Sequence, residues 1–133
     1  MGIPNRPVLC GMLNLDTHIL IDALIGDLSK KEEKALAAHE WCISSIVLWE
    51  ISKLNQIGRI ELDILSLDFS RVLSQVRVVE LTPQICDAST RLDFSSDPAD
   101  ELIAATSVVH AVPLVTRERA IRTSKLVPLW KDG

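Results

Sequence analysis

The stretch CGMLNLDTHILIDAL, residues 10–24, decides the fold. Cys10 to Leu15 is short and mostly apolar, it stops at Asp16-Thr17, and Ile19, Leu20, Ala23 and Leu24 then recur at helical spacing. This reads as strand, turn, helix, with a carboxylate at the junction. The alternation continues outward from there. Lys30 to Glu40, behind Ser29, is rich in Lys, Glu and Ala and predicts a surface helix. Trp41-Cys42-Ile43 predicts a second strand, and Ser44-Ser45 can cap a helix from Ile46 to Leu54 that stops at Gly58. Asp63 to Ser74 has a looser helical pattern, and Val76 to Leu81 is a β-branched run that predicts a third strand. Thr82-Pro83 and Asp97-Pro98 each pair a capping residue with proline at the first helical position, the second opening the helix Ala99 to His110. Pro113-Leu114-Val115 predicts a fourth strand ending at Thr116, and Val127 to Trp130 a short final one. Strands alternating with helices, and apolar enough for burial on both faces, predict an α/β fold. Its expected form is a three-layer α/β/α sandwich around a mainly parallel sheet of four or five strands. In such sheets the functional crevice lies at the carboxyl ends of the strands.

The 133 residues, 47% of them hydrophobic, suffice for one domain, residues 1–133, with a core that needs no disulfide or structural metal. Cys10, Cys42 and Cys86 form no CxxC pair, which disfavours a zinc knuckle and fits a reducing compartment. The N-terminus, with Arg6 and two prolines, lacks a signal-peptide core, and no stretch approaches the ~20 apolar residues of a membrane span. The expectation is a soluble, cytoplasmic protein without a membrane partner. The GxxxxGK[ST], GxGxxG and GxSxG signatures of nucleoside triphosphatases, dinucleotide-binding proteins and serine hydrolases are all missing from the sequence.

Four acids map to one edge of the predicted sheet: Asp16, Glu50, Asp100 and Glu118. Each alone has a structural reading, since acids favour helix starts. Glu50 resists that reading, because Ile46, Val47 and Leu54 place it beside the apolar stripe of its helix. An ion pair with Lys53 contributes only roughly 0.3–0.5 kcal/mol, against several for moving an uncompensated carboxylate toward an apolar face. Clustered carboxylates repel one another by about 4 kcal/mol per pair at ~4 Å and an effective dielectric of ~20, so the group needs a cation. Oxygen-only ligation points to Mg²⁺ or Mn²⁺ rather than Zn²⁺, and phosphodiester hydrolysis is the matching reaction. His18, His39 and His110 lack metal spacing, although His18 lies close to Asp16.

The set Leu15-Asp16-Thr17-His18, Ser44 to Leu54 with Trp49-Glu50-Ile51, Asp97-Pro98-Ala99-Asp100 with Leu102 to Thr106, and Pro113 to Thr116 resembles the PIN-domain ribonucleases, and among them the VapC-type toxins of toxin–antitoxin pairs. The resemblance spans about residues 12–130 and implies a PIN-like fold. It also implies metal-dependent endoribonuclease activity, a cognate antitoxin and a homodimer. It makes Asp16, Glu50 and Asp100 the core metal-binding carboxylates and Glu118 the fourth, with Thr17 and Thr116 orienting them. Two residues depart from the family pattern: Glu118 replaces the usual Asp, and Glu101 stands where Arg is common. Asp97 is read as a helix cap.

The acidic net charge of −4 is locally reversed after Thr116, where five Lys and Arg face two acids. Arg117, Arg119, Arg122 and Lys125 are the expected RNA-binding residues, with an ordinary solvated helix end as the plain alternative. Two Phe, three Trp and no Tyr leave few stacking platforms. Other functional readings are a weakened PIN-fold protein used for partner binding and a housekeeping PIN nuclease in RNA processing. A phospho-receiver domain is disfavoured because the third strand ends without Asp and Thr116 is followed by Arg117 rather than Lys.

Overall fold

The computed structural model describes residues 9–131. Arg6 and Asp132, which enter the charge readings above, lie outside that range. Four strands, β1 (Met12–Leu15), β2 (Glu40–Ser44), β3 (Val76–Val79) and β4 (Leu114–Val115), form one all-parallel sheet in the order β3-β2-β1-β4. Helices α1 (Thr17–Ile25), α2 (Lys30–Ala37), α3 (Ile46–Gln56), α4 (Leu67–Leu73), α5 (Pro83–Ser89), α6 (Pro98–His110) and α7 (Arg119–Arg122) connect and cover it. The central strands are buried on both sides, with Leu13, Leu15, Cys42 and Ile43 all shielded from solvent. That explains the continuous apolar runs, which parallel strands need because helices cover both faces.

The helix starts follow from their capping chemistry. Asp16, Ser29, Ser66, Thr82 and Asp97 each accept a hydrogen bond from the amide three residues on, and Ser29 and Glu32 complete a capping box. At α3 the expected cap is displaced: Ser45 makes no capping bond, and Ser44 Oγ instead accepts from the Ile46 amide at 3.3 Å. Gly58 takes the left-handed conformation just past α3, as its placement predicted.

Four boundaries differ from the sequence reading. The Lys30 helix stops at Ala37, and Glu40 belongs to β2, because pairing of Glu40 with Met12 outweighs its helix propensity. The helix expected over Asp63 to Ser74 begins only at Leu67, since Asp63 folds back on the Leu65 amide and Ser66 caps the first turn. The third strand ends at Val79 rather than Leu81. Val127 to Trp130 contributes a single parallel bridge, Leu114 to Leu129, rather than a strand. Backbone bonds from Leu114 N to Pro128 O and from Trp130 N to Leu114 O secure it.

The strand order positions the site. From β1 the chain builds outward through β2 to β3, then returns to add β4 on the other side of β1. The order in which strands are added therefore reverses between β1 and β4, and a crevice opens at the carboxyl ends there. Asp16 follows β1 and Thr116 follows β4. Helix α6 runs back toward β4, so its N-terminus, with Asp97 and Asp100, reaches the same end. Buried Asn14 ties α6 to β1 by donating to Ile103 O at 3.2 Å and Ser107 Oγ at 2.9 Å.

Candidate active site: a carboxylate cavity at the sheet's carboxyl edge

A cavity of about 330 Å³ opens at this crevice, lined by Asp16, Glu50, Asp97, Asp100 and Glu118 together with His18, Asp22 and Arg117. The four acids singled out in the sequence thus meet in space. Their roles within the cavity differ. Asp16 is 6% exposed; its Oδ1 accepts from the Ile19 amide at 3.0 Å, so it caps α1 while facing the cavity. Burial raises its pKa, opposed by hydrogen bonds from Thr116 and the Ile19 amide and by the charges of His18 and Arg117. Glu50 is half-buried, and Thr17 Oγ1 donates to it. Its pKa is also raised, mainly by burial, with Asp97 and Asp16 adding repulsion against the Thr17 bond and His18. Lys53 is not its partner: the ammonium donates instead to Gln56 at 3.3 Å. Asp100 is pushed up to about 6 by burial first and then by Asp97, Glu50 and Glu118, against a 2.8 Å hydrogen bond from Ser96 Oγ. Thr116, Thr17 and Ser96 thus each donate to one of Asp16, Glu50 and Asp100 and fix its carboxylate.

The tightest grouping is one the sequence reading missed. Oxygens of Glu50, Asp97 and Asp100 all lie within 4.8 Å of one another, an all-oxygen set suited to a hard divalent cation. Asp97 is the helix cap it was taken for, accepting from the Asp100 amide at 2.9 Å, and it belongs to this cluster as well. The i, i+3 spacing of Asp97 and Asp100 was the available signal, because it places both acids on the first turn of one helix. Three acids this close, two of them half-buried and Asp97 exposed, without an arginine among them, suit a bound cation.

Glu118 lines the cavity from the N-cap position of α7, but its side chain makes no capping bond. The Thr116 hydroxyl, two residues ahead of that N-cap, accepts from the Glu118 amide at 3.0 Å and bonds to Asp16. Glu101, the acid standing where arginine is common, is drawn away by a bond from the Ser96 amide at 3.3 Å. Its charge does not line the cavity.

Among the expected RNA-binding residues, Arg117 lines the cavity and is engaged in ion pairs. Its guanidinium holds both oxygens of Glu32, at 2.9 and 2.7 Å, and also Asp22, so it clamps α1 and α2 to the segment after β4. Its Nε, Nη1 and Nη2 each commit a donor to these carboxylates, whose charges also offset its own. The same clamp holds Glu32 down at about 2, chiefly through the Arg117 bonds. Arg122 donates to Thr116 O at 3.0 Å, while Arg119 and Lys125 are exposed. Because Glu32 is largely buried, Arg117→Ala is expected to cost about 1–3 kcal/mol at pH 7. The folded-state pKa of Glu32 lies below its unfolded value of 4.5, so this contribution is present above pH 4.5 and fades as pH falls toward 2. Chemical denaturation of both proteins at pH 7 and pH 3 measures the difference, and an equal gap at both pH values would refute the clamp.

The PIN domain family model matches residues 14–124. Ribonuclease VapC22 of Mycobacterium tuberculosis (strain ATCC 25618 / H37Rv) is 35% identical over 91 residues, covering 66% of this chain and 70% of that protein. A toxin–antitoxin complex from Klebsiella pneumoniae contains a chain that superposes with a TM-score of 0.69 at 20% identity, covering 91% of this chain and 98% of that one. VapBC2 from Rickettsia felis, bound to a promoter DNA fragment, gives 0.69 at 18% identity, covering 90% and 97%. The family match spans most of the chain, the sheet has the same architecture, and the acids converge where that sheet opens: the chain belongs to the PIN domain family and is a homologue of a VapC ribonuclease.

Proposed function

We propose that this chain is a Mg²⁺- or Mn²⁺-dependent endoribonuclease, formed by residues 1–133 as one domain, and the cytoplasmic toxin of a toxin–antitoxin pair. The observation that carries the reading is the convergence of five carboxylates, besides the arginine-bound Asp22, in one cavity, three of them within 4.8 Å of one another. Kinship with a VapC ribonuclease supports the choice of RNA as substrate. Glu50, Asp97 and Asp100 would hold the cation, with Asp16 and Glu118 on the cavity walls. A divalent ion there neutralises the acids and polarises a phosphodiester and an attacking water. The chain itself keeps the carboxylates oriented through Thr17, Thr116 and Ser96. It also holds the pKa of Asp100 up at about 6, so that below that pH a cation would have to displace its proton. Arg119, Arg122 and Lys125 remain the residues proposed to steer RNA. Cleavage of RNA with Mg²⁺ or Mn²⁺, abolished by chelator, is the direct test. A folded protein that cleaves RNA with neither ion would defeat the proposal.

The contributions of Asp97 and Glu118 can be separated. Asparagine caps a helix as well as aspartate does, so Asp97→Asn should leave stability within a few tenths of a kcal/mol. The same change should weaken Mn²⁺ affinity by roughly 10- to 100-fold because a charged oxygen is lost from the cluster. Glu118→Ala, removing an acid on the cavity wall, should fall in the same range only if Glu118 joins the site, and Glu118→Asp should then be tolerated. Calorimetric titration of Mn²⁺ decides both, and an affinity unchanged in either variant removes that residue from the site.

For the antitoxin, the expected groove between the Lys30 helix and the apolar side of α3 does not form, because Val47 and Ile51 of α3 are fully buried in the core. The apolar openings lie between α1, α2 and α4, as neighbouring cavities of about 390 and 350 Å³ that share Leu24 and Val72. Ile25, Leu65 and Leu67 are exposed, and Ile25 lines the smaller of the two. The proposed antitoxin segment seats there, and the proposed assembly of the toxin is a homodimer. Among the described residues no helix is long and apolar enough to cross a membrane.

A further inference from the structure

The carboxylate cavity does not end at Glu50 and Asp97. Both residues also line a neighbouring cavity of about 300 Å³, whose other walls are Trp49, Leu54, Ile57, Pro98 and Ala99, with Lys53 as its cation. Helix α3 docks on the core through Val47 and Ile51, and Trp49, midway between them in sequence, turns outward. It is 54% exposed and is the only exposed aromatic among the described residues. Trp41, by contrast, is secured by a 2.7 Å bond from its indole N–H to Leu36 O. Packing therefore gives no reason for a tryptophan at position 49. Lys53, one turn further along α3, holds its ammonium 5.9 Å from the Trp49 ring centroid. An exposed indole with a cation over its ring, in a cavity that shares Glu50 and Asp97 with the carboxylate cavity, suits a base and its phosphate. Every base can stack on an aromatic ring, and the ammonium answers the phosphate charge.

We propose that Trp49 and Lys53 form a nucleobase subsite, in which the base next to the scissile phosphodiester stacks on Trp49 and its phosphate meets Lys53. The inference rests on the ribonuclease reading and adds to it how a single-stranded substrate is gripped. Stacking of this kind contributes about 5- to 150-fold in affinity per base.

The test is steady-state cleavage of a single-stranded RNA with Mn²⁺ by wild type, Trp49→Ala, Trp49→Phe and Lys53→Gln, with sedimentation of each protein alone. Trp49→Ala should raise KM by about 5- to 150-fold, far more than it lowers kcat. Trp49→Phe should recover most of that loss, because a phenyl ring still stacks. Lys53→Gln should reduce the slope of log affinity against log salt by about 0.7, one single-strand phosphate contact. A wild-type KM in Trp49→Ala overturns the subsite, as does a loss confined to kcat that Trp49→Phe does not rescue. If Trp49→Ala also turns a dimer into a monomer while KM is unchanged, the face belongs to a second copy of the chain and not to RNA. A wild type that cleaves normally alongside an unaffected Trp49→Ala sinks only the subsite. A wild type inactive on RNA sinks the ribonuclease reading and the subsite with it.

Discussion

Asp100→Asn is expected to lower metal-supported RNA cleavage by roughly 10²- to 10³-fold while making the metal-free protein more stable. The loss follows from removing a charged oxygen from the Glu50, Asp97 and Asp100 cluster. Charge stabilisation of several kcal/mol by the cation converts to that range in rate. The gain in stability follows from the cost of the charge itself. A carboxylate pushed up to about 6 from 3.8 opposes folding when ionised, by about 1–3 kcal/mol, and the amide removes that cost. Asparagine can still accept the Ser96 hydroxyl bond, so the local geometry is kept. Asp16→Asn and Glu50→Gln should likewise abolish cleavage without unfolding the chain, since burial raises both pKa values as well. Cleavage assays paired with metal-free thermal denaturation distinguish a site residue from a structural one. An Asp100→Asn protein that is both active and less stable would contradict the assignment.

Acidification should stabilise the metal-free protein between pH 7 and 5, and divalent ions should reverse that trend. Asp100 has a folded-state pKa of about 6, above the unfolded value of 3.8, so the folded chain binds more protons across that interval. Stability therefore rises as pH falls through 6 and levels off below 3.8, where both states are protonated. The raised pKa values of Asp16 and Glu50 act in the same direction. Glu32 opposes them only below pH 4.5, as its bonds to Arg117 are lost. A cation binds the ionised form and competes with the proton, so Mn²⁺ affinity should climb about tenfold from pH 5 to 7 and flatten above 7. Denaturation curves with and without Mn²⁺ at pH 5, 6 and 7.5 measure both effects. A metal-free protein that is most stable at pH 7.5 would show that these acids do not carry the strain assigned to them.

Local chemistry made most of the fold legible in the sequence. Apolar runs of four or five residues, set between helix caps at Asp16, Ser29, Thr82 and Asp97, are enough to indicate parallel strands joined by helices. The same reading brought Asp16, Glu50, Asp100 and Glu118 to one edge, because strand ends and the helices beside them share that edge in any such sheet. Boundaries at Glu40, Leu67 and Val79 were not legible. They depend on which residues find a partner strand or a turn bond, and propensity alone does not encode that.

Pairwise distance and competition for charge were decided only in three dimensions. Asp97 looked complete as a cap, since one oxygen satisfying an amide explains an aspartate before proline; only the approach of α3 to α6 makes it also a neighbour of Glu50. Arg117 looked like a phosphate ligand because it sits in a basic run, yet Asp22 and Glu32, 95 and 85 residues away in sequence, claim its donors first. Trp49 entered the sequence reading only as part of the Trp49-Glu50-Ile51 motif, and burial of Val47 and Ile51 in the core left it exposed beside the acids. A sequence fixes which groups a chain carries and how each helix and strand begins. Which carboxylate faces a cation and which faces an arginine depends on contacts between distant segments, and the packing of α1, α2, α3 and α6 against the sheet sets those contacts.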